Sequence, residues 1–316
     1  KFLKQKNLDD YKFIGSSNTI TKVKQLIDKV APTSSRVIIY GDSGTGKDLV
    51  AREIHKKSKY SDGNFIIVNS ALMEPDGIEE ELFGLEENSR IIKEGFFEQA
   101  NNGTLFIDEI GDMPIQTQSK ILRVLTDSSF YRVGSNMPVN INARLLCSST
   151  ENLEKLVEEG NFRMDLFHRL NVVSITLPKL SDRTQDIDEL IEHFSKIYVT
   201  NTSSKISDLR EYIKTNYVNY DWPGNVRELR NIIERYCIIG GKIAENQEQL
   251  DGGFNSKNVI SMPLKNARKI FEKNYLESQI QRFNGNISKT ASFIGMERSA
   301  LHRKLKQLGI SIDNKE

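Results

Sequence analysis

RVIIYGDSGTGKDLVAREIHKKS, residues 36 to 58, decides the fold. Val37 to Tyr40 form a short run of strand-favouring residues with no polar alternation. GDSGTGK, Gly41 to Lys47, follows it and fits G-x-x-x-x-G-K, and a helical pattern comes next. A strand before and a helix after is the setting that a phosphate-binding loop needs. Gly41, Gly44 and Gly46 let the N–H groups of the loop, through Asp42, Ser43 and Thr45, close around a phosphate. The helix N-terminus adds a positive dipole, and Lys47 reaches the outer phosphates. Asp48 stands where a hydroxyl ligand for Mg²⁺ usually follows the lysine, so the loop alone also admits a glycine-rich turn.

A second motif removes that ambiguity. Sixty-one residues after Lys47, LFIDEI places Asp108 and Glu109 behind an apolar strand. Asp108 is expected to hold Mg²⁺, directly or through water, and Glu109 to polarise an attacking water. Four more segments read like the first: NFIIVN (64–69), GTLFIDEI itself (103–110), NARLLCSS (142–149) and VVSITL (172–177). Such continuous apolar runs, joined by helix-length connections, predict a parallel sheet covered on both faces. From about Leu180 the pattern turns helical, with DIDELIEHFSKIY as one amphipathic segment. GGKIAENQEQLDGGFNSKN reads as a linker, and a long helix is expected over 264–283.

Composition fits this picture. Hydrophobic residues make up 38% and charged residues 28%, as in globular proteins rather than disordered ones. No apolar run approaches the roughly 18 residues that span a bilayer, so no membrane partner is expected. Cys147 and Cys237 lie far apart in apolar runs and read as buried thiols, consistent with a cytoplasmic setting. Net charge is +1, yet residues 264–316 carry +6 and leave −5 on the rest. A compact basic end on a mildly acidic body points to nucleic acid.

GNISKTASFIGMERSALHRKLKQLGI (285–310) accounts for that basic end as helix, tight turn, helix. Ile287, Ala291 and Ile294 give the first helix an apolar face, Gly295 marks the turn, and Leu301, Leu305 and Leu308 line the second. Arg298, Ser299, His302, Arg303 and Lys306 are left to face a major groove, as donors to base edges and phosphates.

Taken in order, IGSS (14–17), GDSGTGKD, IHKKS (54–58), VNSAL (68–72), ELFG (81–84), GTLFIDEIGDMP (103–114), QSKILRVL (118–125), FRMDLFHRL (162–170) and WPGNVRELRN (222–231) resemble the AAA+ core of bacterial enhancer-binding proteins, the NtrC-like transcription activators. The C-terminal segment resembles the Fis-type helix-turn-helix that ends those proteins. The resemblance implies an α/β AAA+ P-loop domain with a helical lid, followed by an all-α DNA-binding domain. It divides the chain into a linker (1–12), an α/β nucleotide-binding subdomain (13–180), a lid (181–244), a second linker (245–262) and the helix-turn-helix domain (263–316).

The resemblance also implies roles. ATP or ADP with Mg²⁺ is the cofactor, and Ile14, Gly15, Arg183 and Arg227 join the loop in binding it, Arg227 as sensor II. Asn69 couples nucleotide state to the catalytic glutamate. Ser149 and Thr150 occupy sensor I, where the family usually has Thr-Asn. Arg163 and Arg169 reach a neighbour's γ-phosphate, so the site is complete only in a homodimer or larger assembly. Paired helix-turn-helix domains would read double-stranded DNA with two-fold half-sites.

One stretch departs from the family. There ELFG is followed by a Gly-Ala-Phe-Thr-Gly-Ala tip that touches sigma-54; here it runs to GFFE through LEENSRIIKE (85–94), without Phe-Thr or flanking glycine. A charged, stiffer turn is expected. A response-regulator branch of the family shares this loss, and KVAPTSSRVIIYG (29–41) and residues 286–310 resemble it closely. That branch implies a receiver domain outside these residues, a sensor kinase acting on it, and RNA polymerase contacted otherwise than through sigma-54. An ATP-hydrolysing sigma-54 activator and an AAA+ remodeller targeted to DNA stay open as alternatives.

Overall fold

The computed structural model describes residues 12–73, 77–198, 206–218 and 220–239, and in the C-terminal part residues 272, 275, 276, 279, 280, 287–296 and 298–308. The chain forms two compact units, residues 1–241 and 242–316.

In the first unit the five apolar runs become β1 (Val37–Tyr40), β2 (Phe65–Asn69), β5 (Thr104–Asp108), β8 (Arg144–Ser149) and β9 (Val173–Thr176). They build one sheet in the order β2-β5-β8-β1-β9, with every pairing parallel. Side chains alternate across it. Ile38, Leu105, Ile107, Leu145 and Cys147 enter one core, with α3 (Ile78–Phe83), α5 (Ile115–Asp127) and α7 (Met164–Leu170). Val37, Ile39, Phe106, Leu146 and Ile175 enter the other, with α1 (Asn18–Val30) and α2 (Lys47–Lys56). Two covered faces explain why the strands read as unbroken apolar runs. The edge strands β2 and β9 are less buried than the runs suggested, and Ile67 stays exposed.

Buried Arg144 fastens α1 to the sheet. Its guanidinium donates to the carbonyls of Val30, Ala31 and Ser35, at or just beyond the helix C-terminus, where carbonyls lack intrahelical partners. Both cysteines are buried, and neither forms a disulfide.

Two small hairpins stand apart from the main sheet. β3 (Leu85–Glu87) pairs antiparallel with β4 (Arg90–Lys93), and β6 (Ser129–Tyr131) with β7 (Pro138–Asn140). Asn88 and Ser89 form the connection at φ 49° and 64°, as a two-residue turn between twisted strands requires. The charged turn expected after ELFG is therefore a closed hairpin. Backbone bonds from Glu86 N to Val133 O and from Val133 N to Gly84 O lay it against the chain beside β6. Arg132 then clasps its base, donating to Glu86 and twice to Glu98.

The lid comprises α8 (Ile187–Tyr198), α9 (Ile206–Asn216) and α10 (Asn225–Ile239). Buried Trp222 stacks on Tyr217 at 5.2 Å between ring centroids.

In the second unit α11 (Ile287–Phe293) and α12 (Arg298–Leu308) enclose Ile287, Ala291, Leu301 and Leu305, together with Leu276. Gly295, at φ 71°, makes the turn between them. Residues 272, 275, 276, 279 and 280 are helical, within the expected long helix. The rest of that helix and the linker 245–262 lie outside the described residues. Among the described residues no helix is long and apolar enough to cross a membrane.

Candidate functional site

The C-terminal ends of the parallel strands converge, where α/β sheets place their ligands. Gly41, Gly44 and Gly46 adopt φ of 156°, 79° and 101°, and Gly46 caps α2 in the left-handed region. A Cβ on Gly44 would lie 2.2 Å from the Gly224 carbonyl oxygen, so the loop has no room for a side chain there. Lys47 is buried, and its Nζ donates to the Gly41 carbonyl at 2.8 Å and to Thr150 Oγ1 at 2.9 Å. Asp48 is exposed at the first turn of α2.

Asp108 ends β5 and Glu109 follows at φ 54° and ψ 55°, a conformation that costs a side-chain-bearing residue on the order of 1 kcal/mol. Three contacts hold its carboxylate. Lys47 Nζ lies 2.9 Å from Oε1, Thr150 Oγ1 donates to Oε1 at 2.6 Å, and Thr150 N donates to Oε2 at 2.8 Å. Burial raises the Glu109 carboxyl, but the Thr150 and Lys47 hydrogen bonds outweigh it and hold the group below the usual carboxylate range.

Asp108 has its own partners. Asn69 Nδ2 donates to Oδ2 at 3.2 Å, and Ser148 Oγ donates to Oδ1. Asn69 thus rests on Asp108, while the glutamate is held by Thr150. Ser149 is buried, with its hydroxyl turned to the Glu151 carbonyl, so within the Ser149–Thr150 pair only Thr150 faces Glu109.

The lid closes on the loop through neutral groups and two arginines. Asn225 accepts from Leu180 N at 2.8 Å and donates to Ser43 O at 3.0 Å, while Val226 N donates to Gly44 O at 3.0 Å. Arg227 donates to Ser43 Oγ at 3.1 Å, and the exposed Lys179 pairs with Asp42. Buried Arg183 donates to the Thr45 carbonyl at 3.0 Å; burial lowers its pKa, and nearby Asp186 offsets part of that. Asp186 also accepts from Ser16 N, Ser17 N and Ser17 Oγ, which ties the Ile14–Gly15 segment to the lid.

Arg163 and Arg169 sit at opposite ends of α7. Arg163 pairs with Asp165 and reaches Ser119 Oγ, and its backbone N–H is fixed by buried Gln118. Arg169 donates to the Leu125 carbonyl. In α12, Arg298, Ser299 and Arg303 are exposed, whereas the side chains of His302 and Lys306 lie outside the described residues.

Sequence reasoning missed Ser148, Asp186, Asn225 and Gln118. A polar residue inside an apolar strand run was the signal for Ser148, and an acid just before an amphipathic helix was that for Asp186. Asn225 and Gln118 act across the fold and left no local signal.

A glycine loop, an acidic strand end, a docked helical lid and a helix-turn-helix define an AAA+ nucleotide-binding transcription regulator. Family models bear this out: the Sigma-54 interaction domain matches residues 13–176, the AAA+ ATPase lid domain residues 181–258, and the bacterial regulatory protein, Fis family, residues 267–308. The chain is 42% identical over 312 residues to the nitrogen assimilation regulatory protein NtrX of Azorhizobium caulinodans, covering 94% of this chain and 69% of that protein. It is 39% identical to the putative response regulator NtrX-like of Rickettsia bellii, covering 98% and 69%. The crystal structure of NtrX from Brucella abortus in complex with ATP matches at a TM-score of 0.67 and 42% identity, over 94% of this chain and 70% of that one. Its complex with ADP matches at 0.65 over 95% and 69%. The chain belongs to the NtrX family of response regulators: it is a transcription factor with a nucleotide-binding AAA+ domain and a DNA-binding helix-turn-helix.

Proposed function

We propose that this regulator acts at promoters of the housekeeping sigma factor and uses ATP chiefly to set its assembly state. The observation that carries the reading is the hairpin Leu85–Lys93. Its two-residue Asn88–Ser89 turn leaves no room for a mobile Gly-Ala-Phe-Thr-Gly-Ala tip, and its outward residues are Glu87, Arg90, Ile91 and Ile92. A loop of this length and stiffness lacks the glycine mobility that transmits a nucleotide-driven stroke.

At the nucleotide end, Lys47 and the loop N–H groups hold the phosphates, Arg227 and Arg183 support them from the lid, and the Ile14–Gly15 segment flanks the base. The donors suited to Mg²⁺ are hard oxygens, the Asp108 carboxylate and the exposed Asp48 carboxylate, and no hydroxyl follows Lys47. Held by these carboxylates, Mg²⁺ would supply charge neutralisation at the phosphates. Glu109 polarises water once it leaves Lys47 and Thr150, and this prior engagement supports a low turnover. Arg163 and Arg169, carried on the surface by one helix, complete the site of an adjoining copy in a homodimer or larger ring. A receiver domain phosphorylated by the sensor kinase NtrY would bias that assembly by population shift. The exposed Arg298, Ser299 and Arg303, with His302 and Lys306, contact two-fold half-sites on DNA, and the whole operates in the cytoplasm.

A second reading, activation through sigma-54, is favoured by the match of residues 13–176 to the Sigma-54 interaction domain. Reconstituted transcription separates the two. The expected result is regulation of housekeeping-sigma polymerase and no promoter melting with sigma-54 polymerase and ATP; ATP-dependent melting with sigma-54 overturns the first reading. A third, a DNA-targeted remodeller, requires vigorous substrate-stimulated ATPase activity.

A further inference from the structure

We infer that Ser148 is a positioning residue for both halves of the Asp108–Glu109 pair. This rests on the nucleotide-site reading above. Ser148 has no exposed surface and lies in β8, beside the strand that carries the acids. Its hydroxyl acts as donor and acceptor at once. Oγ–H donates to Asp108 Oδ1, and Oγ accepts from Glu109 N at 3.1 Å. No other side chain links the two acids in this way among the described residues.

Each bond has a separate consequence. The first, with Asn69 on Oδ2, pins the Asp108 carboxylate from both sides and sets its plane. Donors behind a metal-binding carboxylate commonly contribute ten- to a hundredfold in metal affinity by fixing its orientation. The second bond satisfies the N–H of a residue held at φ 54°, where backbone strain persists only if its surroundings enforce it. Without that acceptor the strained Glu109 backbone loses a hydrogen bond that holds it in place beside Asp108. Alanine lacks the hydroxyl, and a side chain with more heavy atoms crowds a fully covered strand.

The test uses the full chain and a fluorescent N-methylanthraniloyl ATP. Its affinity is measured first without divalent cation, then across a Mg²⁺ titration. In Ser148→Ala the Mg²⁺ midpoint should rise about tenfold while cation-free affinity stays within twofold of wild type. Ser148→Cys, a weak donor of similar size, should fall between the two. A general packing defect would instead weaken cation-free binding and lower the melting temperature in parallel. Equal midpoints for wild type and Ser148→Ala overturn this inference alone. Failure of wild type to bind the nucleotide at all overturns the site reading and this inference with it.

Discussion

Two regions of the first unit are built alike: the nucleotide site at the strand ends, and the hairpin between Gly84 and Gly95, which joins α3 to α4 (Phe96–Gln99). Both rely on glycines that tolerate no side chain. A Cβ on Gly44 would meet the Gly224 oxygen at 2.2 Å, and one on Gly95 would meet Phe83 C at 2.4 Å. Both also contain side-chain-bearing residues at positive φ, Glu109 in one and Asn88 and Ser89 in the other. Their contents differ. At the nucleotide site the tight backbone presents converging charged groups, Lys47, Asp108, Glu109 and Arg227. At the hairpin equally tight anchors lead only to a short turn. Anchors are a property of packing, and the hairpin's buried charges, Arg132 with Glu86 and Glu98, are spent on one another at its base, whereas Lys47, Glu109 and Arg227 gather around the glycine loop, where a ligand is handled.

Breaking each region separately sharpens this contrast. The largest effect expected is from Lys47→Ala, which should weaken nucleotide binding roughly a hundredfold, about 3 kcal/mol, by removing a buried charge from the phosphates. Equal affinity for ATP in calorimetry would remove the lysine from the site. Next, Arg132→Ala strips Glu86 and Glu98 of their shared partner at the hairpin base, where all three side chains are less than 15% exposed. Chemical denaturation should show about 2 kcal/mol lost, with nucleotide affinity unchanged. If affinity fell as well, the two regions would be coupled.

A smaller effect follows from Glu109. Its folded pKa lies below the unfolded value of 4.5, so its pairing with Lys47 and Thr150 stabilises the protein above that pH and is lost as pH falls through the folded value. Glu109→Gln should therefore be less stable than wild type by about 1 kcal/mol at pH 7, and the gap should shrink below pH 4.5. A gap independent of pH would show that the carboxylate is not the group held. Smallest of all, replacing exposed Ile91 and Ile92 with serine should change stability by no more than about 0.5 kcal/mol. A larger loss would mean that the hairpin packs against something in solution.

The sheet was legible because its strands are covered on both sides, so Val37–Tyr40 or Thr104–Asp108 carry an unbroken apolar signature. The acidic pair Asp108–Glu109 was legible because it ends an apolar strand, and Lys47 because it closes a glycine loop of fixed spacing. The hairpin was less so. Asn-Ser is a weak turn signal beside Asn-Gly, and β3 and β4 have no core face to impose alternation. Partner choice was not legible either: only the fold shows Asn69 on Asp108 and Thr150 on Glu109, because side chains from three strands meet there. Asn225, more than 180 residues from the Ser43 carbonyl it binds, shows the same limit.

That asparagine also has a consequence for how the lid joint behaves in different media. Apart from Arg227, the exposed Lys179–Asp42 pair at its rim and Arg183, whose guanidinium is buried on the Thr45 carbonyl and so little reached by salt, the joint consists of amide and carbonyl groups: Asn225 with Ser43 and Leu180, and Val226 with Gly44. Neutral dipoles in contact are barely screened by salt, whereas helix contacts to phosphates weaken steeply with it. Raising ionic strength should therefore release the regulator from DNA while leaving the mechanical connection between phosphate loop and lid intact, giving the two functions of one chain different sensitivities to the cell's ion content.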